Sequence, residues 1–160
     1  MSMSKDEIFT NVQMVLVEAL GADEDEITEN ASLTADLGAE SIDFLDIVFR
    51  LEKAFSTDDA PFKISQGELF PENLMENDDW VSDGKFTESG LAMLKDRMPH
   101  IDFTEFSANP ELGKVADLIT VSSLVTFVSN KLERASHTVK DAGELAATIC
   151  VVVFFSGIFF

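Results

Sequence analysis

The stretch Asp36-Leu37-Gly38-Ala39-Glu40-Ser41-Ile42-Asp43 holds the residues best suited to chemistry. It sets a serine where a polar loop turns into an apolar-periodic run, directly after an acidic residue and before an aliphatic one. Such a junction exposes a hydroxyl, and the free N–H groups at a helix start favour a nearby phosphate, so Ser41 suits attachment of a phosphodiester. Serine also caps helices, and on the physics of this segment capping and modification stand level. An enzyme nucleophile fits less well, because no histidine lies nearby in sequence and no Gly-x-Ser-x-Gly elbow is present.

The remaining reactive side chains add little. His100 and His137 are far apart in sequence, with nothing around either that suggests a catalytic or metal site, and both are expected at the surface. Cys150 is the single cysteine, so an intrachain disulfide and any CxxC motif are excluded. The segment DDWVSDGKFTES has a superficial likeness to a calcium loop, with Asp83-Gly84 at the fifth and sixth positions. The first ligand would then be Asp79, but Val81 and Gly90 would occupy the third and twelfth positions, which need oxygens. A polar turn stabilised by Gly84 is the better reading, and no metal site is expected.

The elements that must position Ser41 are helices. Ser4 and Glu7 have capping-box spacing; Ile8, Val12, Val15, Leu16, Ala19 and Leu20 recur at helical intervals, and Gly21 is a stop. An acidic loop follows, in which Ile27, Leu33 and Leu37 are apolar pins that would hold it onto a helical core. A second helix is predicted from Ser41 to about Phe55, with Ile42, Leu45, Val48, Phe49 and Leu51 on its buried face. Between 56 and 116, Pro61, Pro71, Pro99 and Pro110 and several glycines break the chain into short pieces. One amphipathic helix, Thr87 to Met98, is predicted there, ended by Pro99. A further helix runs from Val121 to about Leu132, and strand evidence is thin except in the C-terminal tail.

Charge limits the partners. Eleven Lys and Arg against 30 Asp and Glu give a formal net charge of −19. Such a surface repels phosphate backbones, which excludes nucleic acid, and speeds encounter with basic partners. A solvated face that keeps the protein soluble is the plainer use of the same acidity. The start, MSMSKDEIFTN, lacks the apolar stretch of a secretory signal, so a cytoplasmic location is expected.

The stretch DLGAESID resembles the hallmark of the acyl carrier protein family, Asp-Leu-Gly-x-Asp-Ser-Leu-Asp/Glu. EITENASLTADLG is similar to the family's loop, SIDFLDIVFRLEKAF to its second helix, and DLITVSSLVTFVSNKL to its last helix and approach. The resemblance covers residues of about 5–55 and 114–134; Glu40 replaces the usual Asp and Ile42 the usual Leu. It implies an all-α fold, a four-helix bundle of the acyl carrier type with an inserted helical segment and a C-terminal extension. The carrier domain would span 1–134, with the insertion at about 56–116 and the extension at 135–160.

By the same resemblance, Ser41 would bear 4′-phosphopantetheine, donated from coenzyme A by a phosphopantetheinyl transferase. The arm's thiol would carry acyl groups as thioesters in fatty-acid or specialised lipid synthesis, and the chain itself would not be an enzyme. Asp36, Glu40, Asp43, Asp46 and Glu52 would dock on basic patches of fatty-acid-synthase-type enzymes or acyltransferases, with Asp36 also serving the transferase or its metal. Ile42, Leu45, Val48, Leu124 and Val128 would line the space that shelters acyl chains; ordinary core packing explains the same residues equally well. The rival reading is an acidic helical interaction module with no prosthetic group.

An ordinary member of the family is about half this length. The inserted LFP…DGKFTESGLAMLKDRMP pattern resembles a longer, specialised branch that includes carriers of very long chains for lipid A. Phe62, Leu69, Phe70, Leu74, Trp80, Phe86, Leu91 and Phe103 would enlarge the core or the acyl pocket, or pack as an embellishment on the bundle. The tail from Leu145 to Phe160 carries no charge and is shorter than the roughly 20 residues that span a bilayer. Membrane contact, a helix laid on the bundle and a partner-binding strip are all open to it.

Overall fold

The computed structural model describes residues 3–65, 67–69 and 77–136. The apolar tail, His137, Cys150, Phe70 and Leu74 lie outside the described residues.

The first helix, α1 (Lys5–Leu20), begins and ends as its sequence predicts. The Ser4 hydroxyl accepts from the Glu7 N–H, the Glu7 carboxylate accepts from the Ser4 N–H at 2.8 Å, and Gly21 closes the helix with a left-handed φ of 65°. Ile8, Val12, Val15 and Leu16 form its buried face.

The long acidic loop is fastened at both edges. Ile27 and Leu33 are fully buried and Leu37 packs half-buried against the same core. The Leu33 N–H donates to the Ile119 carbonyl at 2.9 Å and the Val121 N–H to the Ala31 carbonyl at 3.0 Å. Thr34 Oγ1 adds a 2.7 Å hydrogen bond to Asp117. The loop is therefore stitched to the segment that leads into the last helix, and the Ser41 end of α2 is held in place through it.

Helix α2 (Ser41–Phe55) packs on α1 through only part of the predicted face, Val48 and Leu51. Ile47, Leu51 and Phe55 are buried, Phe44 and Val48 are half-buried against the core, and Ile42, Leu45 and Phe49 face outward. Apolar residues nearly encircle this helix, so its sequence pattern admits more than one buried stripe, and the position of the partner helices selects among them.

The insertion contains a hairpin whose turn at Gly84 the sequence reading found and whose two short strands it missed. Val81–Ser82 (β1) pairs antiparallel with Lys85–Phe86 (β2), and the two residues between, Asp83 and Gly84, have φ of 52° and 76°. Two left-handed residues in succession make the tight turn that Asp-Gly favours. Helix α3 (Glu88–Arg97) follows at once: the Thr87 hydroxyl accepts from the Gly90 N–H at 3.1 Å and donates to the Asp79 carbonyl at 2.6 Å. Residues 121–136 form α4, longer than predicted, with Val121, Leu124, Val125 and Val128 buried.

The core is continuous. Phe62, Leu69, Phe86 and Phe103 of the insertion are buried with the α1, α2 and α4 residues, whereas Trp80 and Leu91 are half-buried. Each fully buried side chain of this size contributes about 1.5–3 kcal/mol, so the insertion supports the bundle rather than riding on it. It is also tied at its root: Glu52 of α2 accepts from the Ile64 N–H at 2.8 Å and pairs with Lys63 at 3.1 Å. A second tie joins Lys131 of α4 to Glu68 at 2.6 Å.

His100 departs from the surface position expected of it. Its ring meets Phe127 edge-on at 5.1 Å, and its Nε2 is buried with no hydrogen-bond partner. Burial pushes its pKa down to about 4 against an opposing pull from Glu68, so the ring is neutral at ordinary pH.

Candidate functional site

Ser41 is the first residue of α2 and is exposed. The loop reaches it through Gly38, whose φ of 68° is a left-handed turn, and Ala39, whose N–H donates to the Leu33 carbonyl at 2.7 Å. Glu40, in an extended conformation, is the N-cap residue. The Asp43 carboxylate reaches back to accept from the Glu40 N–H at 2.7 Å. Asp43 thus supplies the side-chain bond that closes the helix start, and the Ser41 hydroxyl makes no hydrogen bond among the described residues. Ser41 is therefore not the capping residue of α2; Glu40 holds that position.

The other predicted acids separate by what they hold. Asp36 accepts from the Ser32 N–H at 2.7 Å and so braces the loop. Asp46 pairs with Arg50 one turn on, at 2.8 Å. Glu52 is tied to the insertion; the Ile64 N–H and then Lys63 hold its carboxyl below the usual carboxylate range. Glu40 is exposed and forms no ion pair among the described residues. The five acids do not form one free cluster.

The predicted pocket residues are also divided. Leu124 and Val128 are fully buried and Val48 packs half-buried against the same core. Ile42 and Leu45 are 71% and 66% exposed, so they line no interior space here. Phe49, 65% exposed, joins them on the outer face of α2. Sequence reading missed Arg50, which bridges Asp46 and, at 2.7 Å, Glu18 of α1. Its i, i+4 spacing from Asp46 was the available signal. No group of three or more potential metal ligands occurs among the described residues, and no helix there is long and apolar enough to cross a membrane.

An exposed, uncommitted serine hydroxyl at a helix start is a suitable acceptor for a phosphate-linked arm. Residues 11–66, which include this site, match the family model described as "Phosphopantetheine attachment site". An acyl carrier protein of Guillardia theta is 37% identical over 83 residues, which cover 50% of this chain and 94% of that protein. The chain belongs to the acyl carrier protein family. An acyl carrier protein of Thermotoga maritima is 46% identical over 59 residues, covering 36% of this chain and 73% of its own. One from Petrotoga mobilis is 43% identical over 53 residues, covering 33% and 62%. No solved structure matches.

As an acyl carrier protein the chain is a carrier rather than an enzyme, and 4′-phosphopantetheine is its prosthetic group. The helix start fits that group: the N–H groups of Ser41 and Ile42 have no acceptor among the described residues. Unsatisfied amides and the positive end of the helix dipole both favour a phosphate there. The mostly helical fold agrees with the carrier bundle expected of the family.

Proposed function

We propose that Ser41 bears the 4′-phosphopantetheine arm and that the chain carries acyl groups as thioesters on it, in fatty-acid or specialised lipid synthesis. The observation that carries this reading is the Ser41 hydroxyl, exposed at the first position of α2 while Asp43 takes the capping bond. The arm supplies the thiol that forms the thioester. The chain's own residues expose the acceptor oxygen, fix its approach through Gly38 and Ala39, and offer open amides to the phosphate.

The insertion supports a specialised role. Its buried aromatic side chains extend the core that Val48, Leu124 and Val128 share, which favours a larger or differently shaped cargo than a short bundle would shelter. In this reading residues 1–134 are the carrier domain, 56–116 its insertion and 135–160 an extension available for membrane contact. The carrier works in the cytoplasm with a phosphopantetheinyl transferase and with synthase-type enzymes or acyltransferases. Asp36, Glu40, Asp43, Asp46 and Glu52 belong to the docking region, with Glu40 the acid least committed within the chain. The net charge of −19 draws basic partners in from a distance.

Incubation of the full chain with coenzyme A and a promiscuous phosphopantetheinyl transferase tests the proposal. Intact-protein mass should rise by one arm in the wild type and not in Ser41→Ala. An unchanged wild-type mass would leave the acidic interaction module as the reading to adopt, and an equal shift in the variant would put the arm on a residue other than Ser41.

A further inference from the structure

An enzyme that loads Ser41, or handles an arm borne there, has to lie over the first turns of α2. Beside the acids Glu40, Asp43 and Asp46 it meets an apolar stripe. Ile42, Leu45 and Phe49 are each about two-thirds exposed, at 71%, 66% and 65%, and their i, i+3, i+7 spacing puts them on one stripe that starts beside Ser41.

Charge along this helix is low for such an acidic protein. Residues 41–55 contain three acids, Asp43, Asp46 and Glu52, and two bases, Arg50 and Lys53, a net charge of −1 in a chain of −19. The acids are also engaged internally. Asp43 closes the helix start and Glu52 holds Lys63 and the Ile64 N–H. Arg50 spends Nε on Asp46 at 2.8 Å and Nη1 on Glu18 of α1 at 2.7 Å, with its side chain 34% exposed.

We infer that Arg50 is a specificity-determining residue of this docking face: by occupying Asp46 and Glu18 it favours enzymes that grip Ile42, Leu45 and Phe49 through apolar surface. The inference rests on Ser41 as the arm's site. Exposed ion pairs contribute little to stability, so the main effect of this one is on recognition. A partner's Lys or Arg gains less from a carboxylate already paired with a guanidinium, and the positive Arg50 beside it repels that cation. Loss of Arg50 frees two carboxylates at the edge of the stripe. The partner that fits the face as it stands has an apolar recess over Phe49 and few cations opposite Asp46.

Arm attachment by the promiscuous transferase, followed by intact mass on full-length chains at low and moderate salt, separates KM from kcat. Wild type should show the shallower dependence of KM on salt, that of its net charge alone. Arg50→Gln should lower KM at low salt by roughly three- to tenfold, lose that gain at moderate salt and leave kcat unchanged. Adding Glu18→Gln and Asp46→Asn to Arg50→Gln should restore the shallow salt dependence, which a merely structural role for Arg50 would not do. Phe49→Ser should raise KM at both salts. An Arg50→Gln variant with the wild-type KM and salt slope overturns the inference, as does a Phe49→Ser variant with an unchanged KM. Labelling that persists in Ser41→Ala, or is absent from the wild type, overturns the attachment site and this inference together.

Discussion

At the scale of single residues, the division of labour at the start of α2 has a measurable consequence. Asp43 makes the bond that closes the helix, so Asp43→Ala should cost about 1 kcal/mol in urea unfolding. Ser41→Ala should stay within about 0.5 kcal/mol of wild type, as an exposed side chain without partners does. A larger loss for Ser41→Ala than for Asp43→Ala would show that the serine is the cap after all. His100 makes a second residue-scale prediction. Its folded pKa of about 4 lies below the ordinary 6.5, so between those values the unfolded chain binds the proton more readily. Stability from its neutral burial is present above pH 6.5 and is lost as pH falls towards 4. His100→Phe keeps a ring against Phe127 and removes the titration. Its unfolding midpoint should gain on wild type as pH falls from about 7 to about 5, and a constant difference would contradict the burial described for this ring.

At the scale of elements, the parts legible in the sequence are those with local causes. The Ser4–Glu7 box, the Gly21 stop, the buried Ile27 and Leu33, and a helix close to Thr87–Met98 all depend on neighbours within a few turns. The DLGAESID stretch singled out Ser41 through its resemblance to a family hallmark, because its local physics left capping and modification level. The buried face of α2 was legible only at Val48 and Leu51, because Ile42, Leu45 and Phe49 are as apolar as the residues that are buried, and only packing against the rest of the core decides between them. The hairpin was legible in principle from Asp83-Gly84, but two-residue strands leave almost no alternating pattern. Its closeness to α3 explains Gly90. Alanine inside a helix is usually better than glycine by about 1 kcal/mol. Here a Cβ would collide with the Trp80 carbonyl, a backbone atom that cannot swing aside. Gly90→Ala should therefore destabilise, by about 1–3 kcal/mol in denaturant midpoint, and a gain in stability would mean that the hairpin sits farther from α3.

At the scale of the whole molecule, one continuous core unites α1, α2 and α4 with the insertion, and Glu52 and Lys131 tie the insertion to two of those helices. A core without an internal boundary favours a single cooperative transition. The position of Trp80 makes that measurable without a label. It is the only tryptophan in a chain with no tyrosine, it lies next to the hairpin, and Arg97 sits over its ring at 5.8 Å. Its fluorescence reports the insertion, whereas circular dichroism reports chiefly the helices. The two melting curves should superimpose; an earlier loss of the fluorescence signal would show an insertion that opens on its own. The same indole is a native optical gauge of the insertion, because any ligand that packs beside Trp80 alters its surroundings, whereas one held elsewhere leaves the emission unchanged.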